Sequence, residues 1–268
     1  MEGILKTNIR NYLRHLWLFM LGCGVAAPLW AADYSEAVAV VKPSIVAIAS
    51  HQPLRQPALS FIGTGFIVAD GRHVVTNAHN IPAYLDSDKK ESLMIVIPGV
   101  DGDDKSVRLA ILVRQDKLHD VAILKFADAP LPTLKLGDSA KVKEGQEYLI
   151  TGFPIGSVLG YHAVTHKSMV SAITPVVQPV DNASQINPRM VKRMLTEFKV
   201  FQLDAIAYPG NSGSPVYNVE TGEVVGILNS VFVKDTKESV IEKPSGISYA
   251  IPVQYIKQLM IDSGVTTE

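Results

Sequence analysis

The chain reads as an all-β protein made of two antiparallel six-stranded β-barrels and a short C-terminal helix. Short runs rich in β-branched residues recur at close spacing, and helical patterns are brief. The runs fall into two groups of about six, separated by a polar, turn-rich link around residues 130–139. With 268 residues, 47% hydrophobic and 19% charged, the chain is long enough for two small cores and has no bias toward disorder or fibre. Two such groups are what a pair of packed antiparallel barrels requires.

Taken in order, residues 34–41 have a helical pattern that runs into Lys42-Pro43. Strands are expected at 44–50, 61–69, 73–76, 93–97, 107–113 and 121–126. Asp70-Gly71 between two of them signals a tight hairpin, because glycine tolerates the positive φ such turns need. Gly63 and Gly65 inside a strand signal a bend or bulge. The second group is expected at 147–152, 165–173, 200–204, 214–218, 223–233 and 248–251, with Glu220-Thr221-Gly222 as a turn. Pro252 suits the first turn of a closing helix over 252–261, where Tyr255, Ile256, Leu259 and Met260 form one apolar stripe. Residues 174–198 read as an insertion. Pro175 and Pro179 disfavour regular structure in its first half. Asn187-Pro188 then caps a helix whose Met190, Val191, Met194, Leu195 and Phe198 fall at helical spacing. That helix is either an ornament on the barrel or a regulatory lid.

The first thirty residues differ in kind. Lys6, Arg10 and Arg14 precede an apolar run from Leu16 to Trp30, and Ala31-Ala32-Asp33 follows. This is the pattern of a secretory signal peptide. The alternatives are a retained anchor, disfavoured by the shortness of the run and by Pro28, or acylation at Cys23. Cys23 is the only cysteine, so cleavage near Ala32 leaves a domain held by its core without disulfides. That suits a bacterial periplasm. The expected organisation is a signal peptide over 1–32, a first barrel over 33–135 and a second barrel with the closing helix over 136–268. A net charge of −1 implies no basic face, which argues against a nucleic-acid partner.

Three segments carry chemistry. In Gly210-Asn211-Ser212-Gly213-Ser214-Pro215, small residues flank a serine, so a substrate can approach the backbone closely. A serine is a weak nucleophile that needs an adjacent base and N–H donors aimed at the developing oxyanion; those of Gly210 and Ser212 are the natural ones. His79, in Thr76-Asn77-Ala78-His79-Asn80, stands at the end of a strand, where it can accept the serine proton and return it to the leaving amine. Asp120 opens the buried run Asp120-Val121-Ala122-Ile123-Leu124, where a carboxylate can fix the imidazole tautomer. Asp116 is the nearest rival, in a polar turn with Lys117. Each residue alone fits a bland reading: an idle serine in a turn, a surface histidine, a solvated aspartate. The other histidines of the seven, His15, His51, His73, His119, His162 and His166, lack a comparable setting. The order His, Asp, Ser in an all-β chain matches the chymotrypsin type and not the α/β-hydrolases, which run Ser, Asp, His.

These segments resemble the protease domain of the HtrA/Deg family of trypsin-like serine proteases. The resembling stretches are Phe61-Ile62-Gly63-Thr64-Gly65-Phe66 with Val75-Thr76-Asn77-Ala78-His79, Asp120 to Lys125, and Gln202-Leu203-Asp204-Ala205 leading to Gly210-Asn211-Ser212-Gly213. Gly246-Ile247-Ser248-Tyr249-Ala250-Ile251-Pro252 continues the likeness, which spans roughly residues 35–260. It implies a serine endopeptidase acting on unfolded polypeptides through a His79-Asp120-Ser212 triad, with no cofactor or metal. It also implies periplasmic or secreted location and a homotrimer joined through the N-terminal segment. Ser214 departs from the family, which usually has glycine there, and no PDZ domain is expected in this chain.

By that resemblance, Ile206 lies at the base of the primary specificity pocket and Ile227, Leu228 and Asn229 line it. The pocket is then apolar and modest, with a preference for Val, Ala, Leu or Ile before the scissile bond. The alternative functions are a slow protease that mainly binds misfolded chains, and an esterase using the same triad.

Overall fold

The computed structural model describes residues 33–99, 105–176, 198–206, 208–229 and 246–267. The expected signal peptide, and the expected helix of the insertion apart from Phe198, lie outside the described residues. After helix α1 (Ser35–Val41) the chain enters β-structure at almost every expected place.

The first sheet contains β1 (Ile45–His51), β2 (Leu59–Val68), β3 (His73–Thr76), β4 (Ser92–Pro98), β5 (Lys105–Leu109), β6 (Ile111–Asp116) and β7 (Val121–Lys125). Their order is β5-β4-β1-β2-β3-β7-β6, with every pair antiparallel. The sequence predicts one strand over 107–113, and six strands in all. The structure breaks that strand at Ala110 and so counts seven. The first half pairs with β4 and the second with β7, so the two edges of the sheet are consecutive pieces of chain and the sheet curls. The Ala110 N–H still bonds the Leu93 carbonyl at 3.0 Å, and its methyl is buried. A strand that turns a corner in a small barrel must change partners, and a small side chain at the corner lets it do so. The bend expected near Gly63 is present. Ile48 faces Gly63 but Ala49 faces Phe61, which leaves Ile62 as the extra residue of a bulge.

Period-2 alternation sends one face of these strands inward. Val46, Ile48, Ile67, Val74, Leu93, Ile95, Leu124 and Phe126 make one buried cluster. The second sheet is a closed barrel in the order β10-β13-β12-β11-β8-β9. Its strands are β8 (Glu147–Gly152), β9 (Val164–Pro175), β10 (Lys199–Leu203), β11 (Pro215–Asn218), β12 (Val224–Asn229) and β13 (Ser248–Pro252). A short helix, α2 (Gly156–Leu159), lies between β8 and β9. Tyr148, Ile150, Val170, Phe201, Leu203, Val216 and Leu228 are among the residues that fill it. The chain has the chymotrypsin-like fold.

The closing helix α3 (Val253–Asp262) follows β13 directly and buries Val253, Ile256, Leu259 and Met260. It packs on β7 of the first sheet as well as on β12. Arg114 of β6 donates to the Asp262 carbonyl at 3.1 Å. The last element of the second barrel therefore straps the first sheet in place.

Candidate active site

The acid and the histidine are brought together by strand register. Thr76, the last residue of β3, pairs with Ala122 near the start of β7. The residues just outside that pair, 41 apart in sequence, are thus neighbours. After β3 the chain makes a single 3-10 turn, Ala78–Asn80, which buries its first and last residues and presents His79 between them. Asp120 sits immediately before β7 with φ +51°, the left-handed region that non-glycine residues seldom adopt. The Asn77 side chain holds it there, donating to the Asp120 carbonyl at 3.0 Å.

Both carboxylate oxygens of Asp120 are engaged. Oδ1 accepts the His79 backbone N–H at 2.8 Å. Oδ2 lies 2.6 Å from His79 Nδ1 and also accepts from Asn229 Nδ2 at 2.7 Å. A carboxylate can only accept, so Nδ1 carries a proton, and in the neutral ring Nε2 is then the nitrogen with the lone pair. That is the tautomer a general base needs.

Ser212 lies in a tight turn clamped from two sides. Its carbonyl accepts from the Thr64 N–H at 2.9 Å and from Asn80 Nδ2 at 3.0 Å, both in the first half of the chain. From the other side, the Gly213 N–H bonds the Leu228 carbonyl at 3.0 Å, and the Leu228 N–H bonds the Ser214 carbonyl at 2.8 Å. The approach to Thr64 dictates the sequence. Gly213 has φ +91°, and a Cβ there would stand 1.9 Å from the Thr64 carbonyl oxygen. Gly210 has φ +99°, and its Cβ would stand 2.5 Å from the Phe153 carbonyl oxygen. The peptide planes around the serine are also fixed. The Pro209 carbonyl accepts from the Ile155 N–H at 2.7 Å, the Gly210 carbonyl from Thr64 Oγ1 at 2.7 Å, and the Asn211 carbonyl from the Ser214 N–H at 3.0 Å. In a trans peptide the N–H points opposite to the carbonyl. Holding the carbonyls of Pro209 and Asn211 therefore sets the directions of the Gly210 and Ser212 N–H groups.

The residues assigned to the pocket are placed unequally. Leu228 belongs to the core of the second barrel, and the Asn229 amide is bonded to Asp120. Ile227 is fully buried, and Ile206 is half-buried. Asp204, upstream of the serine, accepts from the Met169 N–H at 2.6 Å and from Ser168 Oγ at 3.0 Å, which pins the segment leading to Ser212 to β9. Not expected from the sequence are the bonds that Asn80, Thr64 and Ile155 make around Ser212, nor the bond from the Asn229 amide to Asp120. The one available signal was the pair of asparagines flanking the histidine, at positions that pack as if apolar.

Two further histidine–aspartate pairs exist. His73 Nδ1 lies 2.7 Å from Asp70, and His119 Nδ1 lies 2.5 Å from Asp116. Both are local pairs three residues apart within a turn. Asp116, the rival acid, is thus taken by His119. Burial pushes its carboxyl up, but the hydrogen bonds and charge of His119, with the Leu118 N–H, outweigh that and hold it below the usual range. Among the described residues, no group of three or more His, Cys, Asp or Glu side chains is arranged as metal ligands are.

Comparison with known proteins settles the lineage. Residues 63–227 match the model of the trypsin-like peptidase domain. The chain belongs to the trypsin-like peptidase family. Within that family it is HtrA-like. A probable periplasmic serine endoprotease, DegP-like, from Pseudomonas putida is 35% identical over 199 residues, covering 74% of this chain and 34% of the relative. A protein of the same description from a Marinomonas species is 31% identical over 223 residues, covering 80% of this chain and 39% of the relative. The chain thus spans about a third of the length of these curated relatives. Among solved structures, an HtrA-type protease, AlgW, with a decapeptide superposes with a TM-score of 0.61 at 23% identity. That match covers 86% of this chain and 67% of the other. The segment matching the peptidase domain contains His79, Asp120, Gly210 and Ser212; Asn229 and the closing helix lie just beyond its end.

Proposed function

We propose that the chain is a serine endopeptidase that hydrolyses unfolded polypeptides in the bacterial periplasm through His79, Asp120 and Ser212. The observation that carries this reading is the Asp120 carboxylate, both oxygens filled, with one of them against His79 Nδ1. That arrangement leaves Nε2 as the base. In the reaction, Ser212 Oγ attacks the scissile carbonyl carbon and its proton passes to His79 Nε2. The substrate oxygen gains negative charge and is met by the N–H groups of Gly210 and Ser212. The imidazolium gives the proton to the departing amine, and Asp120 stabilises the charged ring meanwhile. Water then attacks the acyl-enzyme with His79 again as base, which restores Ser212. The periplasmic setting is supported by the N-terminal pattern of the sequence and by relatives described as probable periplasmic endoproteases.

Digestion of casein tests the reading. Ser212→Ala, His79→Ala and Asp120→Asn should each lower kcat by about 10⁴ or more, and the triple variant should be little worse than Ser212→Ala, because the three groups act as a unit. Casein digestion that survives Ser212→Ala rejects the proposal. The apolar Ile206 supports cleavage after Val, Ala, Leu or Ile. A peptide-library digest with cleavage mainly after Arg, Lys or Glu rejects that part.

A further inference from the structure

We infer that Asn80 is a positioning residue for the nucleophile: its side-chain amide ties the main chain of Ser212 to the turn that carries His79. The inference rests on the triad reading above. Asn80 is buried to 2% exposure directly after the histidine. Its Nδ2 spends both protons, one on Thr76 Oγ1 and one on the Ser212 carbonyl, each at 3.0 Å. The direction of the amide is determined, since the Thr76 hydroxyl gives its only proton to the Thr64 carbonyl at 2.7 Å. Thr76 can then only accept from Asn80, and the amide must present its NH₂ end. Space is matched to the amide as well, because a Cβ on Gly63 would stand 2.6 Å from both Nδ2 and Oδ1 of Asn80.

A packing role alone would not need these bonds. The Ser212 carbonyl already has the Thr64 N–H as a donor, so loss of the Asn80 amide leaves no orphaned carbonyl there. What is lost is the direct link between the residue after the base and the main chain of the nucleophile. A valine of similar volume fills the space without the link. If Asn80 only packs, Asn80→Val is nearly silent in catalysis. If it positions Ser212, the loss falls on the chemical step and not on substrate binding.

The test is the rate at which a fluorophosphonate modifies Ser212, measured beside kcat and KM on a peptide. In Asn80→Val, phosphonylation and kcat should fall about tenfold, with KM changed by less than about twofold. Equal phosphonylation rates in the wild type and Asn80→Val overturn the inference while the proposed function stands. A wild-type chain that takes no phosphonate overturns both. Should Asn80→Val fail to fold, NMR of the wild type decides. The Asn80 side-chain amide should exchange slowly with solvent and shift on phosphonylation of Ser212. An amide that exchanges like a free asparagine and does not shift overturns the inference.

Discussion

Asp120 shows how much of the site depends on single residues placed by others. Asn77 fixes its backbone in the left-handed region, and Asn229 holds the oxygen that faces the imidazole. His79, Asp120 and Ser212 stand out in the sequence as candidates, because each lies in a short segment whose neighbours suit its proposed task, and the structure brings the first two into contact. The sequence places Asn229 in the substrate pocket, and in the structure its amide bonds Asp120. Strand alternation says that it and Leu228 face opposite ways, but only the register of β12 in the barrel says which way leads to Asp120. Asn229→Ala should lower kcat on a peptide by about tenfold, the scale of one lost charge-assisted hydrogen bond. KM should move little. An unchanged kcat would mean that His79 alone orients the carboxylate. Gly213→Ala should abolish folding or activity, since the turn has no room for a methyl group beside the Thr64 carbonyl.

Among the elements, the closing helix and the turn before Asp120 are coupled by rings. Tyr255 of α3 stacks on His119 with centroids 4.0 Å apart, and Phe198 meets both edge-on at 4.7 and 5.2 Å. His119 is also bonded to Asp116. The helix stripe was readable from period alone, and so were most strands. The cluster was not, because its three rings come from segments far apart in sequence. Nor was the break at Ala110, where nothing in a β-branched run marks the point at which pairing passes from β4 to β7. Tyr255→Ala should cost about 2 kcal/mol of stability, or roughly 4–8 °C in Tm. A fluorescence or calorimetric melt checks this. A Tm unchanged within about 1 °C would contradict the idea that the ring cluster helps to hold the helix.

At the scale of the whole molecule, stability has to come from the two cores and the helix that straps them, since the single cysteine lies in the expected leader. One half-buried residue, His166, should make that stability depend on pH. His166 Nε2 is buried without a hydrogen-bond partner, and burial pushes its pKa below the ordinary 6.5. The unfolded chain therefore binds this proton more readily than the folded one. The contribution is fully present above pH 6.5 and is lost as pH falls through the folded value. His166→Phe should flatten the decline of stability below pH 6.5, as read by urea denaturation across a pH series. An unaltered decline would mean that other groups set it.

If Ser212 is the nucleophile of a His79-activated serine endopeptidase, a phosphonate adduct forms on it and nowhere else. The protein is incubated with a fluorophosphonate, its casein digestion is followed, and the modified residue is identified by peptide mass mapping. The expected outcome is a single adduct on Ser212, loss of digestion in step with labelling, and no adduct in His79→Ala. An adduct on another residue, or digestion that continues after Ser212 is fully modified, would contradict it.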